Sequence, residues 1–94
     1  MKKMYLELKL PVSFLREGKK YIAYTPALDL STSGKNYAEV KRRFSETVNI
    51  FFEELIDKGT LEEVLLDLGW ERIQAKWHPP VLISQESQTV KVPV

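Results

Sequence analysis

The sequence has no cysteine and a single histidine, His78. The missing cysteines exclude disulfides, thiol nucleophiles and thiolate zinc sites. With one histidine, a usual zinc site cannot be assembled either. His78 stands beside Pro79 and Pro80, with no local partner that would make it a catalytic base, so a structural or surface role is expected. The four glycines, at 18, 34, 59 and 69, are isolated from one another, which excludes phosphate-cradling loops and dinucleotide fingerprints. No apolar run approaches the roughly 18 residues of a membrane span. The opening MKKMYLELKL alternates instead of offering the continuous apolar run of a signal peptide. A cytoplasmic protein without membrane contact and without a cofactor is therefore expected. The net charge of +1 names no partner, and no internal repeat is visible.

What is present fits one ordered domain: 94 residues, 44% hydrophobic and 29% charged, with two Trp, four Tyr and four Phe. The clearest segment is 33–58. Val40, Phe44, Val48, Phe51, Phe52 and Leu55 recur at steps of three and four and line one face of a helix. Asn36 followed by Glu39 predicts a capping box at its start, and Gly59 predicts its stop. Upstream, the alternation over 4–14 predicts a strand, with Pro11 restricting part of it to an edge or bulge. A polar turn at 16–19 and a second strand at 21–24 complete a hairpin. Residues 28–33 predict a short third strand, with Leu28 and Leu30 on one face.

Downstream, Thr60 and Glu63 predict a second capping box that opens a short helix over 61–68, ended by Gly69. Residues 70–77 alternate as a fourth strand. The tail offers two extended pieces, 81–83 and 89–94, separated by polar residues. Its apolar positions Val90, Val92 and Val94 fit either a strand that pairs with another subunit or one that closes the domain's own sheet. The expected architecture is α+β: a three-stranded antiparallel sheet covered by one long helix, with a short second helix and C-terminal strand or strands. The domain is expected over 1–78, followed by an extended tail over 79–94.

A metal-dependent nuclease would need converging carboxylates. The only candidates are Asp29 with Glu46 or Glu53, and their spacing favours scattered, solvated side chains. The basic first half could meet nucleic acid, since Lys19, Lys20, Lys41, Arg42 and Arg43 interleave with Tyr21 and Tyr24. No recognised nucleic-acid motif accompanies them.

Charge is segregated along the chain. Residues 1–45 carry ten Lys/Arg against four Asp/Glu, whereas 46–71 carry one against eight, a net of −7. Within the long helix, Lys41, Arg42 and Arg43 lie near the N-terminus, and Glu53, Glu54 and Asp57 near the C-terminus. This order opposes the helix macrodipole by a few tenths of a kcal/mol per charge, roughly. Glu39–Arg43 and Arg42–Glu46 pairs would offset part of it, while Glu53 and Asp57 repel. A face that stability did not select points to a partner.

The run from Tyr21 through Pro26, Leu28, Asp29, Ser33, Gly34 and Glu39, continuing along the helix to Gly59, resembles the HicB-like antitoxin domain. Asn36 replaces the family's usual threonine cap, and Val40 its usual small residue. The resemblance covers about residues 4–60. It implies a strand-strand-strand-helix-strand fold, related in shape to part of the ribonuclease H and double-stranded-RNA-binding folds but without an enzyme's active site. It implies a partner as well: a small basic messenger-RNA-cleaving toxin of the HicA type, whose active surface the antitoxin covers. Many such antitoxins add a helix-turn-helix or ribbon-helix-helix domain for operator DNA. Here the 24 residues after Trp70 contain Pro79-Pro80 and an extended tail, so the resemblance does not carry DNA binding with it.

The expected function is therefore neutralisation of such a toxin by masking, with no catalysis. Glu53, Glu54, Asp57, Glu62 and Glu63 are the expected partner-binding residues, and Val90, Val92 and Val94 the expected contacts of a homo-oligomer. The competing readings are a nucleic-acid-binding transcriptional regulator and a stand-alone oligomeric binding module.

Overall fold

The computed structural model describes residues 8–94. The elements run β1 (Ser13–Glu17), β2 (Lys20–Thr25), β3 (Leu30–Gly34), α1 (Tyr37–Lys58), α2 (Leu61–Asp67), β4 (Glu71–Ile73) and β5 (Lys76–His78). The class is the α+β arrangement predicted from the sequence. Strands β1, β2 and β3 form an antiparallel sheet in that order, with Phe14 opposite Ala23 and Ala23 opposite Thr32. Strands β4 and β5 form a separate two-stranded ribbon.

The first strand lies further along the chain than its alternation predicts. Residues 4–7 of the expected 4–14 strand lie outside the described residues, and 8–12 are not strand. Pro11 lacks the N–H a ladder needs. Instead Arg16 and Glu17, expected in the turn, pair with Tyr21 and Lys20 across a two-residue connection. The third strand is likewise displaced: Leu28 is buried in the loop before it, and Asp29 in that loop has φ +48°. Aspartate tolerates this left-handed conformation better than most residues.

Helix α1 is capped by Asn36 as its sequence predicts, but the Glu39 carboxylate reaches the N–H of Lys35, one residue before the Asn36 N–H of a capping box. The Glu39 N–H donates to Asn36 Oδ1 at 2.8 Å, and Glu39 Oε1 accepts from the Lys35 N–H at 3.2 Å. Gly59 ends it in the left-handed conformation, φ +68°, with its N–H donating to the Ile56 carbonyl. Just before the helix, Gly34 packs so closely on α1 that a Cβ there would lie 2.8 Å from the Val40 backbone nitrogen. Only glycine lets strand and helix meet at that distance.

Val40 and Phe44 are buried over Ala23, forming one small cluster. A second cluster gathers Ala27, Leu28, Leu65 and Trp70, with Phe51, Phe52, Leu61 and Trp77 packed around it. Val48 touches both. The lengths explain why two clusters exist. Twenty-two helical residues span about 33 Å, whereas strands of five or six residues span roughly 17–20 Å. The C-terminal half of α1 overhangs the sheet, and α2 and Trp70 fill the space beneath it.

Three predictions about the C-terminal third are corrected. Thr60 precedes α2 but makes no side-chain capping bond, because ψ of 11° turns it away from the extended geometry a capping oxygen needs. Its N–H instead closes α1 onto the Leu55 carbonyl. The single strand over 70–77 is in fact a hairpin, turning at Gln74 (φ +51°) and Ala75 (φ +64°). Two consecutive positive φ values describe a type I′ turn, here without the Asn-Gly or Asp-Gly that signals one in sequence. The tail pieces 81–83 and 89–94 join neither sheet, which removes the reading in which the tail closes the domain's own sheet. Among the described residues no helix is long and apolar enough to cross a membrane.

Candidate functional site

The overhanging half of α1 and the short α2, joined through Gly59 and Thr60, form one projecting unit. Glu53, Glu54 and Asp57 on α1 and Glu62 and Glu63 on α2 are all exposed on it. The two-residue connection keeps all five carboxylates on the adjoining ends of the two helices. Glu62 approaches Arg72 of β4 at 3.9 Å, a long contact between two exposed side chains that leaves most of its charge unmatched. None of the other four makes an ion pair among the described residues.

Beside this acidic unit runs an open apolar groove of about 670 Å³. Leu10, Val12, Phe52, Ile56, Leu61 and Trp77 are among its walls, and Glu53 stands at its margin. Ile56 is 62% exposed although it lies in the middle of a helical turn that buries Phe52 in part. The arrangement is suited to recognition: an apolar surface that gains from losing water, edged by charge that selects the sign of what approaches.

The remaining sequence candidates separate. Asp29, Glu46 and Glu53 do not meet, and among the described residues no three His, Asp or Glu side chains are placed to hold a metal ion. Asp29 has a structural partner instead, accepting a hydrogen bond from the Tyr24 hydroxyl at 3.0 Å. That bond, then desolvation, then the charge of Asp29 raise the Tyr24 pKa above its ordinary value. His78 lies opposite Glu71 on the exposed ribbon. The predicted Glu39–Arg43 pair forms at 3.4 Å, whereas Arg42 and Glu46 are not within ion-pair distance. Val90, Val92 and Val94 are exposed and pack on neither core cluster.

The motif that carries the family resemblance proves structural wherever it can be followed. Ala27 and Leu28 are core, and the Ala27 carbonyl accepts the Trp70 indole N–H at 2.7 Å. Thr25, buried beside them, accepts the Ala27 N–H at 3.3 Å. Gly34 permits the strand–helix contact, and Asn36 with Glu39 caps the helix. The groove, by contrast, was missed in the sequence, because its walls come from the segment before β1, from α1, from α2 and from β5. No protein-family model, curated protein or solved structure matches the chain.

Proposed function

We propose that this domain acts by binding a small basic protein through the acidic α1–α2 unit, as a HicB-like antitoxin masks a messenger-RNA-cleaving toxin of the HicA type. One observation carries the reading: the two helices that bear five exposed carboxylates, only one of them in a long contact with a cation, also wall an open apolar groove, which Glu53 lines. A ribonuclease needs a cationic surface to hold its substrate, and a carboxylate-rich face competes for that surface directly. Opposite charge also speeds encounter, while the apolar groove supplies contacts that slow release. The resemblance of residues 4–60 to the antitoxin family supports the same assignment. The domain needs no catalytic chemistry for this role and would work in the cytoplasm. The exposed valines of the tail suit contacts between copies in a homo-oligomer.

The test is co-expression with the product of the adjacent reading frame. A basic partner of under about 100 residues should co-purify and lose its ribonuclease activity when bound. Replacing Glu53, Glu54 and Asp57 together by lysine should slow association by about tenfold or more at low salt. If no small basic protein is recovered, or if the triple variant inhibits as well as the parent chain, the reading fails.

A further inference from the structure

The end of the molecule opposite the acidic unit carries a different surface. On the helix-facing side of β1, Phe14 stands opposite Ala23 and Arg16 opposite Tyr21, so the two side chains are neighbours on one face. Phe14 meets Tyr37 of α1 edge to face, with ring centroids 5.0 Å apart. One turn along the helix, Lys41 lies over the Tyr37 ring, its Nζ 5.3 Å from the centroid. Both rings remain open, Phe14 at 40% and Tyr37 at 51% exposure.

Further positive charge borders the pair. Lys19 occupies the β1–β2 turn, and Lys35 follows Gly34, which sits opposite Tyr21 in the same row as Arg16. Among the described residues, Arg16, Lys19, Lys35 and Lys41 make no ion pair. The nearby carboxylates are committed elsewhere: Glu39 holds Arg43 and the Lys35 N–H, and Glu17 projects to the opposite face of the sheet. Core packing does not require two half-exposed rings, one with a lysine over it, near three further cations that make no ion pair.

From this geometry we infer that the Phe14–Tyr37 pair, with Arg16, Lys19, Lys35 and Lys41, is a binding surface for single-stranded nucleic acid. The exposed parts of the rings offer aromatic surface to unpaired bases, with Lys41 free to move off Tyr37 onto a phosphate, and the cations track the phosphates between them. Duplex bases are already stacked and present no such face, so a single strand is preferred. The surface differs from the set of residues that the sequence interleaves. Arg43 is spent on Glu39 and on the Ser33 carbonyl, Lys20 projects from the other face, and the Tyr24 hydroxyl is bound to Asp29. The inference does not rest on the antitoxin reading, because Lys41 and Asp57 are about 24 Å apart along α1.

The test uses the full chain and a fluorescently labelled single-stranded RNA of about 12 nucleotides, read by anisotropy. Four phosphate contacts predict that affinity falls roughly fifty-fold between about 50 and 200 mM salt. Tyr37→Leu, which keeps an apolar side chain but removes the ring, should weaken binding about tenfold. The double substitution Arg16→Gln and Lys41→Gln should flatten the logarithmic salt slope by about 1.4. Arg16 and Lys41 are exposed and make no ion pair among the described residues, so circular dichroism should report an unchanged fold. A duplex of the same length and poly-glutamate should each compete poorly. Equal competition by either, no salt-dependent binding by the parent chain, or an unchanged slope in the double variant would overturn the proposal.

Discussion

The two clusters that hold this domain together are built from different distances along the chain. Ala23 of β2 and Val40 and Phe44 of α1 lie within about twenty residues of one another and meet through two local reversals, β2 into β3 and β3 into α1 at Gly34. Ala27, Leu28, Leu65 and Trp70 are assembled across more than forty residues, and the Trp70 indole donates to Ala27 to complete them. The first cluster fixes the sheet against the helix. The second fixes where the overhanging half of α1 and the whole of α2 lie, and with them the acidic unit. Because Val48 packs on both, damage to either cluster destabilises the whole fold, and damage to the second also displaces the candidate site.

Trp70→Ala should produce the largest effect, a loss of about 3–5 kcal/mol measured by urea unfolding, because it removes a buried indole and orphans a buried carbonyl. Since Val48 packs on both clusters, unfolding should remain a single transition; a biphasic curve would show that the clusters melt separately. Gly34→Ala tests the first cluster through its closest approach. The added Cβ meets backbone, not a flexible side-chain end, so a loss of about 1–3 kcal/mol is expected in the same assay. An unchanged midpoint would mean that β3 and α1 part easily.

Asn36→Ala should cost about 1 kcal/mol, seen as a lower thermal midpoint, since the Glu39 N–H loses its acceptor. The smallest effect belongs to Tyr24→Phe. The folded Tyr24 pKa is raised, so its bond to Asp29 contributes stability below the unfolded value of about 10, and this is lost as pH rises through the folded value. Thermal melts at about pH 8 and about pH 11 should show the parent chain losing its small advantage over the variant.

Much of the fold was legible because its signals are local. The α1 stripe, its Asn36 cap and its Gly59 stop each depend on residues within a turn of one another. The β4–β5 hairpin was not legible, because Gln74 and Ala75 take left-handed conformations that neither residue favours. The register of β1 was misjudged for a related reason. Alternation continues on both sides of Pro11, and only pairing with β2 selects Ser13–Glu17 from it.

The sites divide in the same way. The acidic residues were visible as a count along the chain, yet their gathering depends on the two-residue connection between α1 and α2. Phe14 and Tyr37 lie more than twenty residues apart, and neither stood out among the aromatics until the sheet and helix brought their rings together.

Sequence alone determined the class of fold, the long helix with both of its ends, and the opposition of basic and acidic halves, since periodicity, caps and charge are carried by neighbouring residues. Tertiary structure alone decided the strand register, the second cluster, the apolar groove and the two opposed surfaces. Each of these depends on contacts between residues far apart in the chain, and whether a cation or a ring is used up in the fold or left open is settled only when its neighbours arrive.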